Sequence, residues 1–290
     1  MEIFIQLLLN GLLLGGMYAI ISVGLTLIFG VIRVTNFAHG ELLMIGMYAV
    51  YLLTTGLGIH PYLTVVPVVC LLFLVGVCFQ YFIIQPLMKA DPETQIFATV
   101  GVSTALMNLA LLIFGANMLT VQAPSLRVPV NIGDFTLING NIILFVCAAL
   151  LIFGLHLFLS HTYFGRAIRA TAQNRDAAQL MGVNITLVYL ITFGIGSACT
   201  GVAAVLIMPF STVFPTIGTY FVLTAFVTVV LGGMGSLMGA FVGALIIGVV
   251  DALSGYYIAP DLKEVVYFAL FIFILIVRPT GLFGLGKGSE

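Results

Sequence analysis

Residues 3–32 of the chain read IFIQLLLNGLLLGGMYAIISVGLTLIFGVI, a run without any aspartate, glutamate, lysine or arginine. A helix needs about 20 consecutive apolar residues to cross the hydrocarbon core of a bilayer, so this run is long enough for a complete crossing. Only Met1 and Glu2 precede it, without the basic segment and small-residue cleavage site of a signal peptide. We therefore predict that residues 3–32 form the first membrane span.

Three more charge-free runs follow, at residues 42–88, 135–165 and 177–250. Charged residues make up only 7% of the 290-residue chain, whereas a soluble domain carries about 25%. So few charges cannot cover a water-exposed surface, which excludes a soluble enzyme, and the apolar composition excludes a disordered or nucleic-acid-binding chain. The composition predicts an all-α, polytopic membrane protein with one membrane domain over residues 1–290.

Charges, prolines and glycines divide the chain into nine apolar segments. The segments are residues 3–32, 37–58, 62–84, 94–118, 141–160, 185–208, 216–233, 236–258 and 262–279. The seventh is short and flanked by glycines, so it is either a full crossing or a half-helix that enters and leaves on one side. The predicted bundle therefore has eight or nine spans.

The basic residues predict the orientation of the bundle. Arg166, Arg169 and Arg175 cluster in the loop at 161–184, which is the most basic loop of the chain. Because loops rich in lysine and arginine remain in the cytoplasm, this loop should be cytoplasmic. Counting spans outward places the N-terminus outside and the C-terminus inside a bacterial cytoplasmic membrane.

Glycine-interrupted segments occur in both halves of the chain. Phe29-Gly30, a hydrophilic interruption and then Gly40 to Gly46 resemble the stretch 231–236 followed by Gly248. Paired interruptions of this kind are typical of transporters with inverted repeats, where they mark the transport pathway. The sequence thus indicates a possible inverted repeat.

The loop GRAIRATAQNRDAAQLMGVN at 165–184 predicts two short helices. Asn174 is placed to cap the second helix, Asp176 favours its first turn, and Gly182 can end it. Two turns are marginal in water, so this helix needs a surface to lie on. It is either an ordinary interfacial helix or a docking helix that inserts into a groove on a cytoplasmic partner.

Ionisable residues inside spans are candidates for a transport pathway, because burying them is costly. Asn36 can cap the helix that follows it, and His39 and Glu41 fall in that helix's first turns. They either line a pathway or form a structural boundary, in which Glu41 could pair with Arg33. Asp251 lies deeper in its segment, and serves either a pathway or helix packing.

Glycines recur every four residues at 235, 239 and 243, which lets another helix approach closely or provides a break for gating. The stretch GLFGLGKGS at 281–289 nearly matches a phosphate-binding loop, but Gly288 stands where the magnesium-binding hydroxyl belongs. No metal-ligand or nucleophile motif occurs either. We expect neither ATP hydrolysis nor a bound metal or cofactor in this chain.

Three stretches resemble the LivH-type permeases of branched-chain amino acid ABC importers. They are GLTLIFGVIRVTNFAHGE at 24–41, the loop at 165–184 and GGMGSLMGAFVGA at 232–244. The resemblance implies a permease subunit that moves branched-chain amino acids, or a related small amino acid, amide or acid, into the cytoplasm. It also implies four partners, namely a second related permease, two ABC ATPase subunits that bind ATP and Mg²⁺, and an extracytoplasmic substrate-binding protein.

The basic loop, the ionisable residues within spans and the glycine pattern together give two sets of candidate residues. The ATPase-docking set is Gly165, Arg166, Arg169, Ala170, Asn174, Asp176, Ala177, Ala178 and Gly182. The pathway and gating set is Asn36, His39, Gly40, Glu41, Gly232, Gly233, Gly235, Gly239 and Asp251. The alternative function is a free-standing ion-coupled transporter or channel, which would need carboxylates deep in the bundle, and Asp251 is the one deep candidate.

Overall fold

The computed structural model describes residues 2–133 and 135–284, which form eleven helices and one small β-hairpin. The helices are α1 Glu2–Ile32, α2 His39–Leu57, α3 Pro61–Leu87, α4 Pro92–Phe114, α5 Asn139–His161, α6 Tyr163–Gln173, α7 Arg175–Leu180, α8 Ile185–Ile207, α9 Ile217–Gly232, α10 Leu237–Tyr257 and α11 Lys263–Val277. Helix α3 opens with a 3₁₀ turn, Pro61–Thr64, and contains a π turn, Gln80–Ile84. The end of the phosphate-loop-like stretch, residues 285–289, lies outside the described residues.

The nine predicted apolar segments correspond to nine helices, α1–α5 and α8–α11. Seven of the helices in the described ranges are long and apolar enough to cross a membrane, with α1, α5 and α8 among them. The seventh segment is α9, whose 16 residues fall short of the roughly 20 that a full crossing needs. The prediction of a polytopic helical bundle is confirmed. The seventh segment forms a helix of 16 residues.

The hairpin and the two loop helices occupy the connections. Strands β1 Pro129–Ile132 and β2 Phe135–Ile138 pair antiparallel in the long connection between α4 and α5, with Pro129 opposite Ile138. Helices α6 and α7 fill the connection between α5 and α8. Because α5 alone crosses between them, these two connections lie on opposite faces of the bundle.

The remaining helices form two four-helix units, α1–α4 and α8–α11, with opposite directions in the membrane. Helix α1 packs along α10, and α3 packs along α8. The first helix of each unit therefore packs on the third helix of the other, as an inverted repeat requires. Each unit also has a non-helical lead-in segment between its first and second helix, at 33–38 and at 208–216.

The repeat is in a different register from the one that the sequence suggested. The sequence comparison matched the end of α1 and the start of α2 with the end of α9 and the stretch of α10 up to Gly248. In the structure the equivalent of α2 is α9, and the second residue of each helix is a glycine, Gly40 and Gly218. The sequence comparison misled because glycine clusters recur at several close helix contacts, not only at equivalent positions.

Glycines allow the long helices to touch along their backbones. A Cβ atom at Gly248 of α10 would overlap the backbone of Gly11 and Gly15 on α1. Gly24 on α1 likewise lies against the backbone of Gly196 on α8. In a lipid environment helices associate through such close packing, because the acyl chains provide no hydrophobic driving force between them.

We predict that Gly248→Leu lowers the melting temperature of the detergent-purified protein, because the added side chain forces α1 and α10 apart. Overpacking of this kind costs about 1–3 kcal/mol or more. Gly255→Leu on the same helix is the matched control, since its added Cβ meets no atom within 4 Å. A thermal shift assay that gives both variants the same melting temperature would contradict this packing.

Candidate functional site

Helix α2 begins inside the membrane rather than at its surface. The His39 Nε2 atom lies 3.4 Å from the carbonyl oxygen of Ile21, which is about three turns before the end of α1 at Ile32. At 1.5 Å per residue, α2 starts about 16 Å from that end of α1. The hydrocarbon core is about 30 Å thick, so the lead-in segment 33–38 carries the chain back to about mid-depth.

A cluster of polar side chains surrounds this buried helix start. Asn36, His39 and Glu41 are each 0% exposed. The Ser103 hydroxyl of α4 donates a hydrogen bond to Glu41 Oε1 at 3.0 Å. One turn earlier on α4, the Thr99 hydroxyl lies 3.4 Å from the Thr35 carbonyl oxygen. Helix α4 thus reaches the lead-in segment and α2 through two hydroxyl groups.

Three polar atoms of this cluster have no hydrogen-bond partner in the part of the chain that the structure describes. They are Asn36 Nδ2, His39 Nδ1 and Glu41 Oε2. Buried polar atoms are normally paired, because leaving them unpaired costs free energy. Unpaired polar and ionisable groups at mid-depth are the features expected where a polar solute crosses a membrane.

The start of α9 meets the start of α2 at this depth. A Cβ atom at Gly40 would overlap the Gly218 carbonyl group, and one at Gly218 would lie 2.5 Å from Glu41 Oε2. Helix N-termini carry partial positive charge from their free N–H groups. Two such N-termini therefore face the Glu41 carboxylate, and the two glycines make this contact sterically possible.

Two sequence expectations for this cluster are wrong. Asn36 does not cap α2: the helix starts after Ala38 without a side-chain cap, and Asn36 Oδ1 accepts from the Ala38 N–H at 3.0 Å within the lead-in turn. Glu41 does not pair with Arg33, because the lead-in segment carries the chain through about half the thickness of the membrane between these two residues. Arg33 instead donates to the Ala172 carbonyl oxygen in the last turn of α6, at 3.2 Å.

The polar contacts of Asp251 are with α1 and the start of α11. The Tyr18 hydroxyl on α1 donates to Asp251 Oδ2 at 2.6 Å, and Lys263 Nζ lies 3.5 Å from Asp251 Oδ1. This is the one ion pair within residues 2–133 and 135–284. It joins α1, α10 and the start of α11 and places a cation beside the carboxylate, whose Oδ1 atom has no hydrogen-bond partner within the described residues.

The glycines of the second motif lie at the other end of α9. Gly232 and Gly239 touch through their backbones at the turn into α10, and Gly235 packs against Gly30 at the end of α1. A length of α9, about 20 Å, separates Gly232 from Gly218. Of the candidate pathway residues, the structure brings together Asn36, His39, Gly40 and Glu41. Gly232, Gly233, Gly235 and Gly239 lie at the other end of α9, and Asp251 is bound to Tyr18, three residues before Ile21 on α1.

The basic loop folds as the sequence predicted. Asn174 caps α7 by accepting from the Ala177 N–H at 3.0 Å, and Asp176 lies in the first turn. Gly182 follows the helix with a positive φ of 83°, the left-handed conformation that glycine favours. The predicted N-cap and helix stop are both confirmed.

Burial divides the candidate docking residues into two groups. Gly165 and Ala178 are buried against the rest of the bundle. Exposed residues of the set are Arg166, Arg169, Ala170, Asn174, Asp176, Ala177 and Gly182. Sequence reasoning missed Leu180 and Met181, which are 88% and 85% exposed at the tip of α7. Their only signal in the sequence is an apolar pair directly before the Gly182 stop.

Both lead-in segments are bound to a loop on their own side of the bundle. Arg33 contacts the end of α6, as described above. At the opposite face, the Arg127 guanidinium donates to the Pro209 carbonyl oxygen at 2.9 and 3.1 Å. Leu119 and Val213 also exchange two backbone hydrogen bonds of 2.9 Å. The lead-in segments of α2 and α9 therefore each connect their helix to one surface loop.

An inverted repeat whose half-helices start among unpaired polar groups at mid-depth is the architecture of a membrane transport protein. The family model for the branched-chain amino acid transport system / permease component matches residues 7–275. The chain belongs to this family and is a multi-pass membrane permease component. The resemblance seen in the three sequence motifs is thereby confirmed.

The chain is similar over nearly its whole length to named permeases. It is 35% identical to the high-affinity branched-chain amino acid transport system permease protein BraD of Pseudomonas aeruginosa, over 97% of this chain and 96% of the relative. It is 34% identical to LivH of Escherichia coli strain K12, with the same coverage. A probable LivH of Methanocaldococcus jannaschii is 29% identical over 96% of this chain and 92% of the relative. No solved structure matches.

We predict that Lys263→Met destabilises the protein, because it leaves Asp251 buried without its counter-charge. The expected loss is about 1–3 kcal/mol, smaller than for a fully buried pair because the Lys263 side chain is 36% exposed. Adding Asp251→Asn should recover part of the melting temperature in a thermal shift assay. If the double variant is less stable than Lys263→Met alone, the pair is not the reason for the loss.

Proposed function

We propose that this chain is the transmembrane permease subunit of an ATP-driven importer for branched-chain amino acids, or for a related small amino acid, amide or acid. The observation that carries this proposal is the full-length similarity to BraD and LivH, together with the polar half-helix junction at mid-depth. A free-standing ion-coupled transporter is disfavoured, because the relatives that match over nearly the full chain are permease proteins of high-affinity transport systems.

The proposed topology follows from the basic loop. Arg166, Arg169 and Arg175 favour a cytoplasmic location for α6 and α7. With α5 as the preceding crossing, the N-terminus is outside and the C-terminus inside the bacterial cytoplasmic membrane. Residues 1–290 then form a single permease domain in the bilayer, and the hairpin β1–β2 faces outward.

The importer is proposed to assemble from this chain, a second related permease, two ABC ATPase subunits and an extracytoplasmic substrate-binding protein. The ATPase subunits bind ATP and Mg²⁺, and this chain holds no cofactor of its own. The names of the relatives support this arrangement, since each describes a permease protein within a transport system.

The α6–α7 loop is the proposed ATPase contact. Leu180 and Met181 form an apolar tip that suits a groove on a partner protein, and exposed Arg166 and Arg169 flank it. The Arg33–Ala172 hydrogen bond connects this loop to the lead-in segment of α2. Movement of the ATPases against the tip is thereby transmitted to the start of α2.

The proposed pathway passes the junction of α2 and α9. In this structure the contact between Gly40 and Gly218 closes it, and Asn36, His39 and Glu41 surround it. Displacement of α2 by the loop separates the two helix starts and exposes their polar groups to the solute. Gly232, Gly233, Gly235 and Gly239 keep α9 and α10 together at the cytoplasmic end while this occurs.

The proposed docking tip predicts that a Leu180→Ser, Met181→Ser double variant loses ATPase binding. Removing most of the exposed apolar surface of the tip should lower recovery of the ATPase subunits by about tenfold or more. The measurement is co-purification from mild detergent, followed by ATP hydrolysis of the recovered complex. Gln179→Ser, an exposed polar change on the same short helix, is the control and should keep normal recovery. Equal recovery from both variants would disprove the docking role of the tip.

The importer assignment is tested by isolating the tagged chain from native membranes in mild detergent and identifying its partners by mass spectrometry. We expect two ABC ATPase subunits and a second polytopic permease. The isolated complex, returned to liposomes with its binding protein, should import leucine only with ATP. A homo-oligomer that transports without ATPase subunits would instead support an ion-coupled transporter.

A further inference from the structure

A polar pocket, here called the Arg33–Arg175 pocket, lies between the bundle and the α6–α7 loop. Its volume is about 410 Å³, within the range of about 300–1,000 Å³ for small-molecule sites. Four long helices contribute residues near their ends: Arg33 directly follows α1, Met88 directly follows α3, Gln95 lies in the first turn of α4 and Tyr189 in the second turn of α8. The pocket therefore lies at the depth of the phospholipid head groups, on the side of the bundle where α6 and α7 lie.

Two guanidinium groups line this pocket. Arg33 belongs to the lead-in segment of α2, and Arg175 is the first residue of α7. Of the described residues, no aspartate or glutamate lines the pocket. Asp176 and Glu93, the neighbouring carboxylates in the sequence, are exposed outside the lining. Neither arginine forms an ion pair within the described ranges, so the pocket has two positive charges that are not paired with a carboxylate.

The backbone of Arg33 has an unusual conformation. Its φ is 59°, and in the described part of the chain it is the one residue other than glycine with a positive φ. This left-handed conformation follows many helices, but glycine normally occupies it because a Cβ atom makes it costly. One N–H group of the Arg33 side chain donates to Ala172, and the others have no acceptor within the described residues. A strained backbone that places a charged side chain in a pocket indicates a use for that side chain.

Arg175 is oriented by an aromatic ring. Its Cζ atom lies 5.8 Å from the centroid of the Tyr189 ring, which is within the range of a cation–π interaction. Tyr189 is only 4% exposed, so this ring is a fixed surface for the guanidinium group. Among the described residues Arg175 donates no hydrogen bond, which leaves its N–H groups available to a ligand.

Two amide side chains add neutral donors beside the arginines. Asn174 lines the pocket, and its Oδ1 atom accepts from the Ala177 N–H to cap α7. The Nδ2 group of Asn174 is therefore left as a donor, and the exposed Gln173 lies next to it on the lining. Arginine forks together with neutral N–H donors are the groups that bind phosphate oxygens. Basic pockets between membrane helices at this depth bind phosphate head groups in other membrane proteins.

We propose that the Arg33–Arg175 pocket binds a phosphate group, supplied either by an anionic phospholipid or by a soluble phosphate compound. The two guanidinium groups bind its oxygens from opposite parts of the chain. The bound phosphate thereby joins α7 to the lead-in segment 33–38, the same parts that the Arg33–Ala172 hydrogen bond connects. This ligand is distinct from the transported solute, so the inference goes beyond the proposed function.

The first test titrates the full chain, purified in detergent and freed of native lipid, with dioctanoyl phosphatidylglycerol. A ligand that binds the folded state raises the melting temperature, and the titration gives its dissociation constant. Arg33→Gln and Arg175→Gln should each weaken binding about tenfold or more, because each removes charged hydrogen bonds to the phosphate. Arg278→Gln is the matched control, since it removes the same charge from an exposed residue outside the pocket. It should change the dissociation constant by less than about twofold at physiological ionic strength.

Two further probes distinguish the sources of the phosphate group. Phosphatidylglycerol that binds without competition from inorganic phosphate identifies a phospholipid head group. Inorganic phosphate that raises the melting temperature and competes with phosphatidylglycerol identifies a soluble phosphate compound. In both cases dioctanoyl phosphatidylcholine, which has the same acyl chains but no net charge, should bind about tenfold more weakly.

The second test asks whether the pocket is accessible in the complex with the partner subunits. The complex, freed of native lipid, is labelled with the arginine reagent phenylglyoxal, and modification of each arginine is followed by mass spectrometry. The probe that binds in the first test, at about ten times its dissociation constant, should slow labelling of Arg33 and Arg175 about tenfold. Arg278 is the internal control and should be labelled at the same rate with and without the probe.

Three results would overturn the proposal. The first is a melting temperature that neither phosphatidylglycerol nor inorganic phosphate raises. The second is an Arg278→Gln variant that weakens binding as much as Arg33→Gln, which would show only a general attraction of anions to this face. The third is a complex in which Arg33 and Arg175 are unreactive without any probe although both react in the isolated chain, because a partner protein then occupies the pocket. None of these results bears on the importer assignment, which the recovery of ATPase subunits tests separately.

Discussion

The contact between Gly40 and Gly218 is the constraint on which the rest of this structure depends. The first turns of two helices that begin at mid-depth can pack this closely only if neither carries a side chain at the point of contact. Their meeting brings two positively polarised N-termini to the Glu41 carboxylate. Because the two backbones touch, a solute path through this junction would require the two glycines to separate.

The lead-in segments explain how such helix starts can exist within a bilayer. Non-helical backbone at membrane depth must be covered by protein, because lipid offers it no hydrogen bonds. Thr99 contacts segment 33–38, and Leu119 pairs with Val213 of segment 208–216. Arg33 and Arg127 then connect the two segments to loops on opposite faces. The inverted repeat thus links each half-helix to one side of the membrane, which suits a protein that responds to partners on both.

Part of the site could be read from the sequence because it depends on local rules. Asn174 and Gly182 act within one or two turns of the chain, so their capping and stopping roles were predictable. Asn36, His39 and Glu41 could be identified as candidates because polar and charged residues are rare in the spans of this sequence. Ser103, Leu180 and Met181 gave no such signal, since a serine within a span and an apolar pair in a loop are both ordinary. Their importance comes from what they contact or from what they leave exposed.

The sequence by itself determined the class of protein, the nine apolar segments and the short helix α7, because hydrophobic length and helix capping are properties of neighbouring residues. Only the tertiary structure decided the register of the repeat, the depth at which α2 begins and the roles of the ionisable residues. Asp251 and Glu41 look alike in the sequence, and each has one carboxylate oxygen without a hydrogen-bond partner within the described residues, yet a lysine, Lys263, lies 3.5 Å from Asp251, whereas Glu41 lies against the start of α9. That difference depends on helices distant in the chain, which no local pattern specifies.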